Sequence, residues 1–172
     1  MALFLVEATL DKSGENKSAV EAAVATLHLD EGQLIEVQVA SDFKKVYVIV
    51  EANKEEEIQP AFSGEAFTVQ TVKEVRIVGQ ELEDVKKNAG QINYLVEWNF
   101  PADLTMDQYL ARKKKNSVHY AEVPEVEFQR TYVCEDMTKC LCFYDAPDDD
   151  AVKRAREAVS APVSSITKLS RD

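Results

Sequence analysis

Cationic residues are scarce in this chain: 20 Lys and Arg stand against 31 Asp and Glu, for a formal net charge of -11 over 172 residues. Nucleic-acid binding draws on clustered cations that neutralise phosphates, so the balance speaks against that partner. Anionic membrane surfaces are disfavoured for the same reason. Long apolar runs are also missing, and none approaches the roughly 20 residues that a membrane-spanning helix needs. The opening Met1-Ala2-Leu3-Phe4-Leu5-Val6-Glu7 has no basic stretch ahead of a long apolar one, so an ordinary signal peptide is not expected. Cysteine is limited to Cys134, Cys140 and Cys142. Their odd number closes no disulfide framework and suits a reducing cytoplasm. No phosphate-binding loop, dinucleotide fingerprint, Gly-x-Ser-x-Gly or His-Glu-x-x-His is present.

What remains is a globular composition, 45% hydrophobic and 30% charged. The length suits two small units of roughly 80 residues each. The two halves open alike, with Phe4-Leu5-Val6-Glu7 matching Tyr94-Leu95-Val96-Glu97. Further on, Val39-Ala40-Ser41-Asp42-Phe43-Lys44-Lys45 matches Val133-Cys134-Glu135-Asp136-Met137-Thr138-Lys139, and Glu51-Ala52-Asn53 matches Asp145-Ala146-Pro147. The offset is 90 between Glu7 and Glu97 and 94 between Asp42 and Asp136, which a small loop difference explains. Three matches in order point to two diverged copies of one unit. The expected division is residues 1–79, a linker over 80–91, and residues 92–172.

Each copy reads strand, helix, strand, turn, strand, helix, strand. In the first, strands are expected at Ala2–Thr9, Gln33–Ala40, Lys45–Ala52 and Phe67–Val78, with helices at Ser18–Leu29 and Lys54–Phe62. A helical turn at Glu81–Asn88 fits the linker. In the second, strands are expected at Ile92–Phe100, Glu125–Cys134, Lys139–Asp145 and Ser164–Leu169. The Leu104–Lys115 helix ends in the basic Arg112–Lys115 run, which complements the helix macrodipole. Pro147-Asp148-Asp149-Asp150 starts the last helix, because carboxylates meet its unpaired N–H groups. A βαββαβ order is the ferredoxin-like plan, an antiparallel sheet with both helices on one face. The fold class is therefore α+β: tandem ferredoxin-like repeats whose open sheet faces press together as an internal pseudo-dimer of the dimeric α/β-barrel kind. The assembled protein is a monomer of that kind or a homo-oligomer of it.

Strand alternation sorts the second copy's side chains. Leu95, Glu97 and Asn99 share a face, as do Arg130, Tyr132 and Cys134, and as do Cys140, Cys142 and Tyr144. The mixed sets are expected to line the open sheet face, where Arg130, Tyr132, Cys140, Tyr144 and Glu7 would border a site. In the first copy Val46, Val48 and Val50 stand where Cys140, Cys142 and Tyr144 stand in the second, and Gln38 stands for Tyr132. One half then reads as scaffold and the other as the carrier of any site. The cysteines read equally as small buried hydrophobes, with Cys134 near the hairpin the more exposed. Cys140-Leu141-Cys142 lacks the spacing and second pair of a structural zinc site. His28 and His119 follow the first helix of each copy.

The second copy also resembles a known family. Tyr94-Leu95-Val96-Glu97, Thr131-Tyr132-Val133 with Asp136 and Lys139, Cys142-Phe143-Tyr144-Asp145-Ala146-Pro147, and Ala161-Pro162 before Ile166-Thr167 look like the small nickel-responsive, ferredoxin-like bacterial proteins. The resemblance covers about Tyr94–Leu169. It implies a ferredoxin-like fold that dimerises and, in some members, binds nickel. Nickel accepts imidazole, carboxylate and thiolate donors, so compatible ligands are His119, Glu97, Cys142 and Asp136. Three functions follow as expectations. The first is a binding protein for a metal ion, nickel foremost, or for a small molecule between the sheets. The second is a small-molecule enzyme using Glu97, Tyr132 or His119 as acid or base. The third is a ligand-free structural or regulatory module.

Overall fold

The computed structural model describes residues 2–10, 17–25, 32–62, 67–87 and 92–170. His28 and the expected continuation of the first helix lie outside them. The first block contains β1 (Ala2–Leu10), α1 (Lys17–Ala25), β2 (Gln33–Val39), β3 (Lys45–Ala52), α2 (Ile58–Ala61) and β4 (Phe67–Val78). The connecting helix α3 (Leu82–Lys87) follows. The second block contains β5 (Tyr94–Asn99), α4 (Met106–Asn116), β6 (Glu127–Cys134), β7 (Lys139–Asp145), α5 (Asp149–Ala158) and β8 (Ser165–Lys168).

All eight strands join one antiparallel sheet in the order β2-β3-β1-β4-β6-β7-β5-β8. Each block contributes four neighbouring strands in the ferredoxin-like order, and β4 pairs with β6 to join them. The outer edges also meet. Ala40 bridges Leu169, Ser41 N–H donates to the Lys168 carbonyl at 2.8 Å, and Ser170 N–H donates to that of Val39 at 2.8 Å. The sheet thus curls into a barrel with few unpaired edges.

Matching positions adopt matching local structure. Phe43 and Met137 both hold a left-handed backbone, at φ 58° and 59°. In the same turns the carboxylates of Asp42 and Asp136 each accept from the backbone N–H two residues on, at 3.0 Å. A register shift falls between Leu34 and Glu36 in β2, and another between Phe128 and Arg130 in β6.

Alternation along the strands separates two kinds of core. Leu3, Leu5, Tyr47, Ile49, Leu95, Tyr132, Leu141 and Phe143 fill the barrel. The opposite faces pack beneath helices: the valines of β3 against α1 and α2, and Val96, Cys140, Cys142 and Tyr144 against α4 and α5. Burial at about 25 cal/mol per Å² of apolar surface is the main force holding these layers. The segment expected as a plain linker does more than connect, because Val85 of α3 is buried with the barrel core. Gly79 precedes it at φ +95°, and a Cβ there would lie 2.8 Å from the Phe128 ring. Glycine removes both the clash and the strain.

The helices start as the sequence chemistry dictates. Thr105 and Gln108 form a reciprocal capping box on α4, and the Asp148 side chain accepts from Ala151 N–H at 2.8 Å on α5. The short helix expected at Lys54–Phe62, which contains Pro60, is a 3-10 turn, Glu55–Glu57, followed by the four-residue α2. A 3-10 helix, Ser117–Glu122, extends α4 beyond its expected end. Among the described residues no helix is long and apolar enough to cross a membrane.

Candidate functional site

The barrel interior is filled rather than hollow. Arg130 on β6 reaches across it and grips Glu36 on β2 with Nε at 2.9 Å and Nη2 at 2.5 Å. Tyr132 donates to the same carboxylate, Gln38 donates to it at 2.8 Å, and Gln80 accepts from Arg130 Nη1 at 3.1 Å. Both charges are essentially excluded from water, so the pair depends on partners such as these. Burial pushes the Tyr132 hydroxyl far above its usual value, and the neighbouring Glu36 carboxylate pushes it the same way. It is a hydrogen-bond donor, not a base.

A second network lies toward the other end of the barrel from α3. Glu7 receives Lys45 at 3.0 Å and Lys139 at 2.8 Å, while Lys139 also holds Glu97 at 2.6 Å. Thr71 donates to Glu7 at 3.1 Å and Ser165 to Glu97 at 3.2 Å. Burial alone would raise the Glu7 carboxyl, but Lys139 and Lys45 outweigh it and hold the group below the usual range. Glu7, Glu97, Arg130 and Tyr132 therefore do face the barrel, as alternation suggested. Their polar atoms are engaged by Lys45, Lys139 and Glu36.

The remaining sets are placed otherwise. Cys140, Cys142 and Tyr144 do not line the space between the sheets; they face the helices. The physical reason is bulk: Leu141 and Phe143, on the other face of β7, supply the large apolar volume that the barrel requires. Cys134 is not exposed near its hairpin but fully buried, because its side chain falls on the inward face of β6.

The expected nickel ligands are dispersed. Glu97 faces the barrel, while Cys142 lies on the helix side of the sheet. Asp136 shapes a hairpin turn and pairs with Lys73 at 2.6 Å. His119 sits half-exposed on the 3-10 helix with Glu122 at 2.5 Å. Among the described residues no three His, Cys, Asp or Glu side chains gather where they could hold a metal ion. That donor set does not fit a nickel centre.

A different constellation forms beneath α4. Cys142 Sγ accepts from the Thr131 hydroxyl at 3.2 Å and from Arg156 Nη1 at 3.3 Å, with Cys140 Sγ 3.9 Å away. Arg156 Nη1 also donates to Tyr144 Oη at 3.1 Å, and Nη2 to the Pro162 carbonyl at 2.6 Å. Tyr144 and Tyr120 share a hydrogen bond of 2.6 Å. The Cys140 contact favours a charged Cys142, and against the cost of burial Lys113, Arg156 and Thr131 help hold that thiol well below its usual value. Burial pushes the Tyr120 hydroxyl up to about 12.

Above this layer opens a narrow pocket of about 30 Å³, bordered by Trp98, Tyr109, Arg112, Lys113, Tyr120 and Arg156 among others. Arg112 lies over the Trp98 ring at 5.4 Å, and Lys113 over Phe128 at 4.3 Å. Arg156 is only 3% exposed, yet its Nε–H has no hydrogen-bond partner among the described residues. An orphaned buried N–H costs about 1–3 kcal/mol and calls for an acceptor.

Arg156, Arg112, Lys113, Tyr109 and Tyr120 were not singled out in the sequence as site residues. One signal was readable. Arg156 falls in the stripe Val152, Arg156, Val159 at helical spacing, and a charge on a helix's buried stripe demands a partner. The Arg112–Lys115 run, read in the sequence as a complement to the helix macrodipole, divides: its first two members border the pocket.

The architecture is that of a dimeric α/β barrel, with both ferredoxin-like blocks supplied by one chain. Residues 94–169, the block that holds the pocket, match the family model described as "Nickel responsive protein SCO4226-like". No curated protein matches the chain. Among solved structures, one described as "Crystal structure of Putative Chlorite dismutase TA0507" aligns with a TM-score of 0.57 at 10% identity, covering 98% of this chain and 95% of that one. The likeness is one of fold.

Proposed function

We propose that this protein binds a small anion in the pocket beneath α4, with the barrel as its support. Residues 1–79 then act as scaffold, 80–91 as connection, and 92–172 as the ligand-bearing unit, the two units being copies of one duplicated ancestor. The observation that carries the reading is the buried Arg156 with its unpartnered Nε–H, at a pocket that Arg112 and Lys113 also border. Cationic side chains in a partly desolvated slot attract negative charge more strongly than they would in water. The slot is narrow, so an inorganic oxyanion or a short carboxylate suits it better than a larger metabolite.

Two other readings have less support. Acid–base catalysis by Glu97, Tyr132 and His119 needs them around one substrate, whereas Glu97 and Tyr132 belong to separate ion networks and His119 lies on an exposed 3-10 helix. Nickel response through His119, Glu97, Cys142 and Asp136 needs a common centre that these positions do not form. The matched family's name keeps nickel in the test.

Thermal melts at low ionic strength with inorganic phosphate, sulfate and acetate, balanced by chloride, test the proposal. A saturable stabilisation by at least one anion is expected, lost in Arg156→Met and weakened in Lys113→Ala. No stabilisation by any of the three would overturn it. Equilibrium dialysis of untagged protein with nickel provides the opposing arm. Stoichiometric nickel that disappears in both His119→Ala and Glu97→Gln would replace the anion reading with the metal one.

A further inference from the structure

We propose that Cys140 and Cys142 are a redox-modification site, a dithiol that a hydroperoxide oxidises to an internal disulfide, with Cys142 as the attacking sulfur. The two side chains share one face of β7, and their Sγ atoms are already 3.9 Å apart. Residues two apart on a strand have Cα atoms about 6.7 Å apart, at the far end of the span that a disulfide bridges. Closing the bond to about 2.05 Å brings the sulfurs roughly 2 Å nearer, so the disulfide is strained and readily reducible.

The surroundings assign the roles. Cys142 Sγ accepts from the Thr131 hydroxyl and the Arg156 guanidinium, both buried, which is the environment that stabilises a thiolate. Cys140 lies within reach to donate its S–H to that thiolate, and its own thiol is raised well above the usual value, first by this contact and then by burial. Cys134 is an internal control. It is equally buried, but among the apolar side chains of the barrel, where burial pushes its thiol up.

Tyr109 and Arg156 border the pocket on one side and contact the cysteine pair on the other. A hydroperoxide as small as hydrogen peroxide, hardly larger than water, has one side-chain layer to cross. The Cys142 thiolate attacks one peroxide oxygen, the O–O bond breaks, and the hydroxide released takes up a proton to become water. The Cys142 sulfenic acid is then attacked by Cys140. The S–S bond forms, the S–O bond breaks, and the departing hydroxide leaves as water with the proton of the Cys140 thiol. Two thiols and one hydrogen peroxide give one disulfide and two waters.

Trypsin cleavage after Arg130, Lys139 and Lys153 separates Cys134, in 131–139, from the pair in 140–153. Reduced full-length protein is treated with hydrogen peroxide, quenched with catalase, alkylated in denaturant and digested. The expected product is a 140–153 peptide lighter by about 2 Da than its unalkylated dithiol form and restored by dithiothreitol. Cys134 should stay fully alkylated over a period at least about tenfold longer. Cys140→Ser should stop at a dimedone-trapped sulfenic acid on Cys142, and Cys142→Ser should leave Cys140 unoxidised. The proposal is overturned if the wild-type protein, still folded by circular dichroism, yields no such peptide, or if Cys134 oxidises as fast. Because the wild-type digest decides this alone, a variant that fails to fold does not blunt the test.

Discussion

Beneath their helices the two blocks make opposite choices at the same positions. The first packs Val37, Val46, Val48, Val50 and Phe62 into an apolar layer. At positions 94 residues later the second has Thr131, Cys140, Cys142, Tyr144 and Arg156, joined by hydrogen bonds. The strand order is the same in both, so the fold itself does not require the polar set. An apolar layer needs only volume and shape. A buried guanidinium needs several acceptors at set positions and is costly without them. Such an arrangement is hard to account for as packing alone, which is why the second block's outer layer draws the functional reading.

Inside the barrel the comparison runs differently. Glu36 and Arg130 occupy positions 94 apart, on strands that lie across the barrel from each other, and they bind each other. In two identical chains related by a two-fold axis, like charges would face each other at such a place. Two blocks of one chain, free to differ in sequence, can hold opposite ones.

The largest expected effect comes from breaking that inner pair. Arg130→Met leaves Glu36 buried without its ion-pair partner, and urea unfolding should show a loss of about 3–5 kcal/mol. Glu36→Leu combined with Arg130→Met should recover much of it. A loss below about 1 kcal/mol in the single variant would mean that the pair is not sealed from water.

The outer layers can be compared by exchanging residues between them. Cys142→Val, which installs the first block's residue, deprives Arg156 of an acceptor and should cost about 1–3 kcal/mol. The reverse change, Val48→Cys, places a small hydrophobe among valines and should cost less than about 1.5 kcal/mol. Equal costs would show that the second block's polar layer is as tolerant as the first block's apolar one.

The smallest effect is in pH. The Glu7 carboxyl is held below its usual value, so its contribution is present above the unfolded-state value near 4.5 and is lost as pH falls through the folded value. Lys45 and Lys139 are raised above 10.5, so theirs is complete below that value and is lost only as pH climbs past it. Stability from this network should be level between those limits and fall on the acid side. Glu7→Gln should flatten the acid-side slope; an unchanged slope would assign it to other carboxylates.

Much of this was legible in the residues. Strands Lys45–Ala52, Phe67–Val78 and Lys139–Asp145 fall at the expected bounds, because alternation and turn residues are local signals. Asp148 caps its helix for an equally local reason. The inward set Glu97, Arg130 and Tyr132 was legible as a set, though not with its partners: Glu36 and Lys139 come from strands distant in sequence. The face of Cys140, Cys142 and Tyr144 was misread, since alternation separates two faces without saying which one meets the helices. His119 and Asp136 looked like ligands by residue type, yet one pairs with Glu122 and the other sets a turn.

By itself the sequence determined the order of elements, the matched hairpins and caps, and the contrast between an apolar and a polar block. Each of these rests on neighbours within a few residues or on one strand's period. Only the tertiary structure decided that the charges inside the barrel satisfy one another. Only there, too, does the polar layer lie outside the barrel, with Arg156 left one acceptor short at an open pocket. Those outcomes depend on which strands meet across the barrel and which face the helices cover, and a pattern local to the chain does not encode either.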